Sequence, residues 1–167
     1  ALSGFVVCAQ EQKTTTSAPG EQQLKLNALF TDNMVLQRDV KAPVWGYAQK
    51  DSTVTVKIDK QEKKAKADAS GKWVIYLDPM VAGGPFVMTV SDGKKNIELK
   101  NVMSGDVWIC SGQSNMAMSI NATEDEELCR TSDMPMIRMI TVPHVARVGG
   151  LVDVQCEWQL TSSETIG

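Results

Sequence analysis

Apolar and polar residues alternate with a period of two through much of the region from Leu24 to Val102, and no stretch there carries the spacing of an amphipathic helix. Val54, Val56 and Ile58 alternate with Thr53, Thr55 and Lys57; Trp73, Ile75 and Leu77 alternate with Val74, Tyr76 and Asp78. Phe86 to Val90 and Ile97 to Val102 supply two more strand-like runs, divided by the turn signal Asp92-Gly93. Short strands closed by frequent turns predict a β-sandwich over 24–102. The lysines between Lys57 and Lys66 read as a solvated sheet edge, where charge discourages edge-to-edge pairing, rather than as an anion-binding patch.

After Val102 the pattern changes. Val107 to Cys110 is a continuous apolar run, as in a parallel strand buried on both faces. Thr123-Glu124-Asp125-Glu126 has the capping-box form and predicts a short acidic helix through Cys129 or Arg130. The acidic run Glu124 to Glu127 is accounted for by that helix start, where negative charge is favoured, without a carboxylate pair for glycoside hydrolysis. Met136 to Val142 then reads as the next strand, bounded by Pro135 and Pro143. Strand, turn, helix, strand is the opening of an α/β unit with a parallel sheet, and the boundary between the two regions falls near Met103-Ser104.

Ser111-Gly112-Gln113-Ser114-Asn115-Met116 follows the predicted strand Val107–Cys110 as a tight polar turn with Ser114 at its tip. A hydrolase presents a nucleophile in this way: the strand anchors the backbone, Gly112 permits the bend, and backbone N–H groups after the turn face a developing oxyanion. The stretch is not the Gly-x-Ser-x-Gly elbow, because Met116 stands where the second glycine would be. Gln113 and Asn115 flank the serine; Asn115 is expected to support the turn, as asparagine readily does. Asp106 is expected at the opposite end of the strand from Ser114, in a turn role.

Gly105 to Met116 closely resembles the first motif of the sialate O-acetylesterase family, a branch of the SGNH-type hydrolases, which carry their nucleophilic serine in Gly-Gln-Ser-Asn-Met. Leu29 to Arg38 and then Pro43-Val44-Trp45-Gly46 resemble that family's opening signature. Asp68 to Trp73 and Ala82 to Pro85 stand where the family has similar turns, so the resemblance runs from about Leu24 to about Ile166. It implies a β-sandwich domain followed by the first part of an α/β SGNH-type hydrolase domain with a parallel sheet, occupying 103–167. It also implies Ser114 as nucleophile, with its N–H and the turn residues Gly112, Gln113 and Asn115 serving the oxyanion hole or the turn. The substrate implied is an O-acetylated sugar or glycan: sialic acid, or an acetylated plant polysaccharide.

A serine hydrolase of this type also needs a histidine base. The chain holds one, His144, soon after Ser114, whereas the family's catalytic histidine comes near the far end of its hydrolase domain. His144 therefore reads as a loop residue. The chain opens at Ala1 without methionine and ends in the polar stretch Ser162 to Gly167, so it reads as part of a longer enzyme, inactive alone.

Composition alters this picture little. At 167 residues with 43% hydrophobic and 22% charged content, the chain has the make-up of a globular protein. A net charge of −3 argues against nucleic acid or an anionic membrane as partner, and no apolar run is long enough to span a bilayer. Residues 1–9 (ALSGFVVCA) read as the tail of a secretory signal peptide and 10–23 as a disordered linker, which makes the protein secreted or periplasmic. Of the four cysteines, Cys110 is expected buried in its strand, and export permits a Cys129–Cys156 pair. No spacing suits a metal site and no cofactor is expected. Asn121-Ala122-Thr123 matches a glycosylation sequon, but Thr123 already has a use as helix cap. Trp45, Trp73, Trp108 and Trp158 lie in strand-like runs and are expected in the core. A competing reading is a non-catalytic carbohydrate-binding sandwich attached to a degenerate hydrolase domain, although aromatics make up only 5% of the chain.

Overall fold

The computed structural model describes residues 22–118, 127, 131, 133–143 and 153–165. Among them the protein is built almost wholly of strands: β1 (Lys25–Leu26), β2 (Val35–Gln37), β3 (Pro43–Tyr47), β4 (Thr53–Ile58), β5 (Gln61–Lys66), β6 (Lys72–Tyr76), β7 (Gly83–Ser91), β8 (Asn96–Gly105), β9 (Asp133–Ile140) and β10 (Trp158–Ser162). One sheet has the order β1-β3-β6, a second the order β2-β8-β7-β4-β5, and β9 pairs with β10. The pairings are antiparallel except for β2 with β8, which run parallel with Val35 opposite Met103 and Gln37 opposite Gly105.

The alternation seen in the sequence sets the faces. Val54, Val56 and Ile58 of β4 are buried while Thr53 and Lys57 face solvent; Trp73 and Ile75 of β6, with Leu77 just beyond it, are buried while Val74 and Tyr76 are not. Because successive side chains of a strand point to opposite faces, each strand delivers every second residue to the interior. Inward residues of the first sheet (Leu26, Val44, Trp73, Ile75) and of the second (Leu36, Val54, Val56, Met88, Val90, Val102) form one hydrophobic cluster. Phe30 closes one part of it, edge-on to Trp45 with ring centroids 4.7 Å apart.

The turns follow the side-chain chemistry expected of them. Asp92 Oδ1 accepts from the Lys94 and Lys95 N–H groups in the β7–β8 hairpin, and Gly93 takes a φ of 84°. Asn33, Asp39, Asp51, Asp59 and Asn101 adopt the left-handed conformation, which these short polar side chains tolerate better than other residues. The lysine-rich β5 is an edge strand, pairing with β4 alone. Glu62 bridges Lys57 and Lys64 at 3.0 Å each, and hydrogen bonds from these lysines hold its carboxyl below the ordinary value.

The second region departs from expectation. Residues 107–110 form no strand: β8 ends at Gly105 and the chain runs on irregularly, with Trp108 85% and Ile109 92% exposed. An all-apolar strand is stable only where neighbours supply its ladder and cover both faces, and among the described residues none does so. The Val107 N–H is instead satisfied by the Gln37 side chain at 2.8 Å. Cys110 and Trp108 are accordingly exposed, not buried as expected. β9 takes in Met136–Ile140 of the run expected at Met136–Val142 but starts earlier, with Pro135 inside it, and stops before Thr141; its partner is antiparallel β10 rather than a parallel neighbour. Glu127 and Thr131, the described residues near the expected helix, are helical, and the Thr131 hydroxyl donates to the Glu127 carbonyl at 2.9 Å. The expected leader at 1–9, the linker short of Gln22, the Thr123 cap, the sequon, Cys129 and His144 lie outside the described residues. Cys156 is a free thiol among the described residues, its Sγ directed at the Ala28 carbonyl at 3.8 Å.

Candidate functional site

Ser114 opens a single 3₁₀ turn, Ser114–Ala117, on the exposed stretch that follows β8. Gln113 caps it in extended conformation, and its carbonyl accepts the Met116 N–H at 2.9 Å. The Asn115 carbonyl accepts the Met118 N–H at 3.4 Å, so Asn115 supports the turn through its backbone. Among the described residues no hydrogen bond involves the side chains of Gln113, Ser114 or Asn115, and all three are exposed. Gly112 provides room at this bend, because a Cβ there would lie 2.7 Å from Met116 Cγ. The four residues of the expected constellation thus stay together on one turn, with the serine hydroxyl open to solvent.

The strand core holds the approach to this turn through residues of the opening signature. The Arg38 N–H donates to the Gly105 carbonyl at 2.9 Å, continuing the β2–β8 ladder by one bond. Arg38 Nε lies 2.9 Å from Asp106 Oδ1, and its Nη1 lies 2.7 Å from Asp39 Oδ2. These carboxylates, Asp106 first, raise the guanidinium pKa above its ordinary value. Asp106 therefore serves at the exit of β8 as an anchor for Arg38; it stands in no turn, and the strand it was expected to precede is not formed.

The far side of the stretch is held as well. Arg138 of β9 donates through Nη1 to the Asn33 carbonyl at 2.9 Å and to the Asn101 carbonyl, and through Nη2 to Asn101 Oδ1 at 2.9 Å. Asn101 Nδ2 in turn donates to Asn33 Oδ1 at 2.8 Å. Burial lowers the Arg138 pKa, and among the described residues no carboxylate pairs with it. Nearby, Asp153 accepts from Lys25 Nζ at 2.7 Å and from the Ala28 N–H at 2.9 Å. Trp158 donates from its indole to the Leu29 carbonyl at 3.0 Å and from its backbone to Thr31 Oγ1 at 3.1 Å. The segment 25–38 is thus a dock for both neighbours of the serine stretch. Reading the residues one at a time missed this; the signal available was a lone arginine in the apolar run Met136–Val142.

No family model matches the chain. It is 35% identical over 156 residues to the sialate O-acetylesterase of Homo sapiens and 32% identical over 157 residues to that of Mus musculus. These matches cover 83% and 84% of this chain, yet the chain spans only 29% of the length of either relative. Among solved structures, a carbohydrate acetylesterase from Xanthomonas citri superposes with a TM-score of 0.83 at 30% identity, covering 86% of this chain and 34% of that one. The chain belongs to the sialate O-acetylesterase family.

Proposed function

We propose that this chain is the nucleophile-bearing part of a carbohydrate O-acetylesterase. The observation that carries the reading is the joint likeness, at 30% identity or more, to proteins named sialate O-acetylesterase and carbohydrate acetylesterase. In this reading 24–102 is a β-sandwich and 103–167 begins an α/β SGNH-type hydrolase domain. The exposed apolar side chains of Trp108, Ile109, Met136 and Ile137 support it, since they are what a strand and its neighbour would bury once a sheet is completed around them.

Ser114 is the nucleophile. Its Oγ attacks the acetyl carbonyl, the sugar hydroxyl leaves with a proton, and water then releases acetate from the acetyl-serine. The Ser114 N–H and the turn formed by Gly112, Gln113 and Asn115 stabilise the oxyanion, a kind of donor whose loss costs about 10²–10³ in rate. The base is a histidine outside these 167 residues, and the isolated chain is inactive. The 1–9 leader makes the enzyme secreted or periplasmic, and its substrate is an O-acetylated sugar, sialic acid or an acetylated polysaccharide.

The test is acetate release from O-acetylated sialic acid and from acetylated oligosaccharides by the protein in its full encoded length, beside its Ser114→Ala variant. Hydrolysis lost in the variant is the expected result. Glycan binding with no hydrolysis by the unaltered protein would instead establish a binding module.

A further inference from the structure

The stretch bearing Ser114 leaves the strand core after Gly105, and β9, further along the chain, is gripped at Arg138; both grips lie at the ends of the same parallel pair, β2 and β8. At the exit end of that pair, Gln37 and Arg38 hold three consecutive residues: the Gly105 carbonyl, the Asp106 carboxylate and the Val107 N–H. At the entry end, Asn33 and Asn101 hold the Arg138 guanidinium through two carbonyls and a side-chain amide. With Val35 opposite Met103 and Gln37 opposite Gly105, Asn101 and Gly105 are four residues apart on β8. A strand rises by about 3.3 Å per residue, so the two grips are separated by about 13 Å.

We propose that Arg38 and Arg138 are positioning residues for Ser114, using the two ends of the β2–β8 ladder as a splint that sets where the serine-bearing stretch leaves and rejoins the core. The chemistry suits the task. A guanidinium offers a planar fork of five donors, and at Arg138 that fork is met by neutral acceptors on two different segments, so its bonds locate β9 relative to β2 and β8 together. The left-handed φ values of Asn33 (64°) and Asn101 (56°) lie at these same positions, which fits a shaped receptor. At the other end, the bonds to Asp106 and Val107 set the heading of the chain only a few residues before the serine. Displacing a reacting group by ~1 Å through a distant change costs about 10²-fold in rate, so a splint of this kind is read out in turnover.

This inference rests on the esterase reading. Its test uses the full-length protein with p-nitrophenyl acetate as substrate and a fluorophosphonate as probe of the serine. Arg38→Ala, Arg138→Ala, Arg138→Lys and Ser114→Ala are compared, with Lys64→Ala on the outer edge strand as control, all far below their Tm. Arg38→Ala and Arg138→Ala are expected to lower kcat by about 10- to 100-fold with KM little changed, and to slow phosphonylation in parallel. Arg138→Lys recovers little of this, since an ammonium lacks the fork. Wild-type kcat and labelling rate in both alanine variants, with only Tm reduced, would overturn the proposal. Should Arg138→Ala fail to fold, Arg38→Ala decides alone, its guanidinium lying at the surface. Full activity in Ser114→Ala overturns the nucleophile reading and the splint with it. Inactive Ser114→Ala beside fully active arginine variants overturns the splint alone.

Discussion

Cys110 and Cys156 show how surroundings, not residue type, settle behaviour. Cys110 follows Ile109 on the exposed stretch. Cys156 is partly buried, and burial, followed by the charge of Asp153, pushes its thiol above the ordinary value. The thiolate is the nucleophile, so alkylation follows exposure and thiolate fraction. Brief treatment with iodoacetamide near pH 8 is expected to modify Cys110 well before Cys156, read by peptide mass spectrometry. Equal rates would show that Cys156 is as open as Cys110.

Among the elements, β1 and β3 meet at a point that only glycine allows. A Cβ on Gly46 would lie 2.1 Å from the Lys25 carbonyl oxygen and 3.0 Å from Leu26 Cα, both backbone atoms that cannot swing aside. Gly46→Ala must therefore push β1 off the sheet or distort β3. Overpacking of this kind costs roughly 1–3 kcal/mol. A urea midpoint lowered by that free energy divided by the m-value, with the m-value itself unchanged, is the expected outcome; an unshifted midpoint would mean that β1 adds nothing to stability. The same close approach explains the glycine of the Pro43-Val44-Trp45-Gly46 motif: it serves strand packing.

At the scale of the whole molecule, a pH-sensitive contact joins distant parts of the chain. Burial works to raise the Asp153 carboxyl, but the bonds from Lys25, the Ala28 N–H and the Val154 N–H outweigh it and hold the group below its ordinary value. A depressed folded value stabilises the protein above the unfolded carboxylate value of about 3.9, and that stabilisation is lost as pH falls through the lower folded value. Asp153→Asn is expected to lower stability at neutral pH and to flatten the acid limb of the unfolding profile below about pH 4. An acid limb identical to that of the unaltered protein would remove Asp153 from the account.

Where local period decides the outcome, the chain could be read directly. The faces of β4 and β6, the β7–β8 hairpin at Asp92-Gly93 and the lysine-guarded edge β5 follow from alternation and turn chemistry, which act between near neighbours in sequence. The Ser114 turn was visible for the same reason, since its members lie within a few residues. The strand expected at 107–110 was not decided locally: apolar composition makes such a strand possible, but only paired neighbours make it form, and here the Gln37 side chain takes the Val107 N–H. The parallel pairing of β2 with β8, and the grip of Asn33 and Asn101 on Arg138, join residues far apart in the chain. No local pattern encodes such contacts, because their energy exists only once the core has brought the segments together.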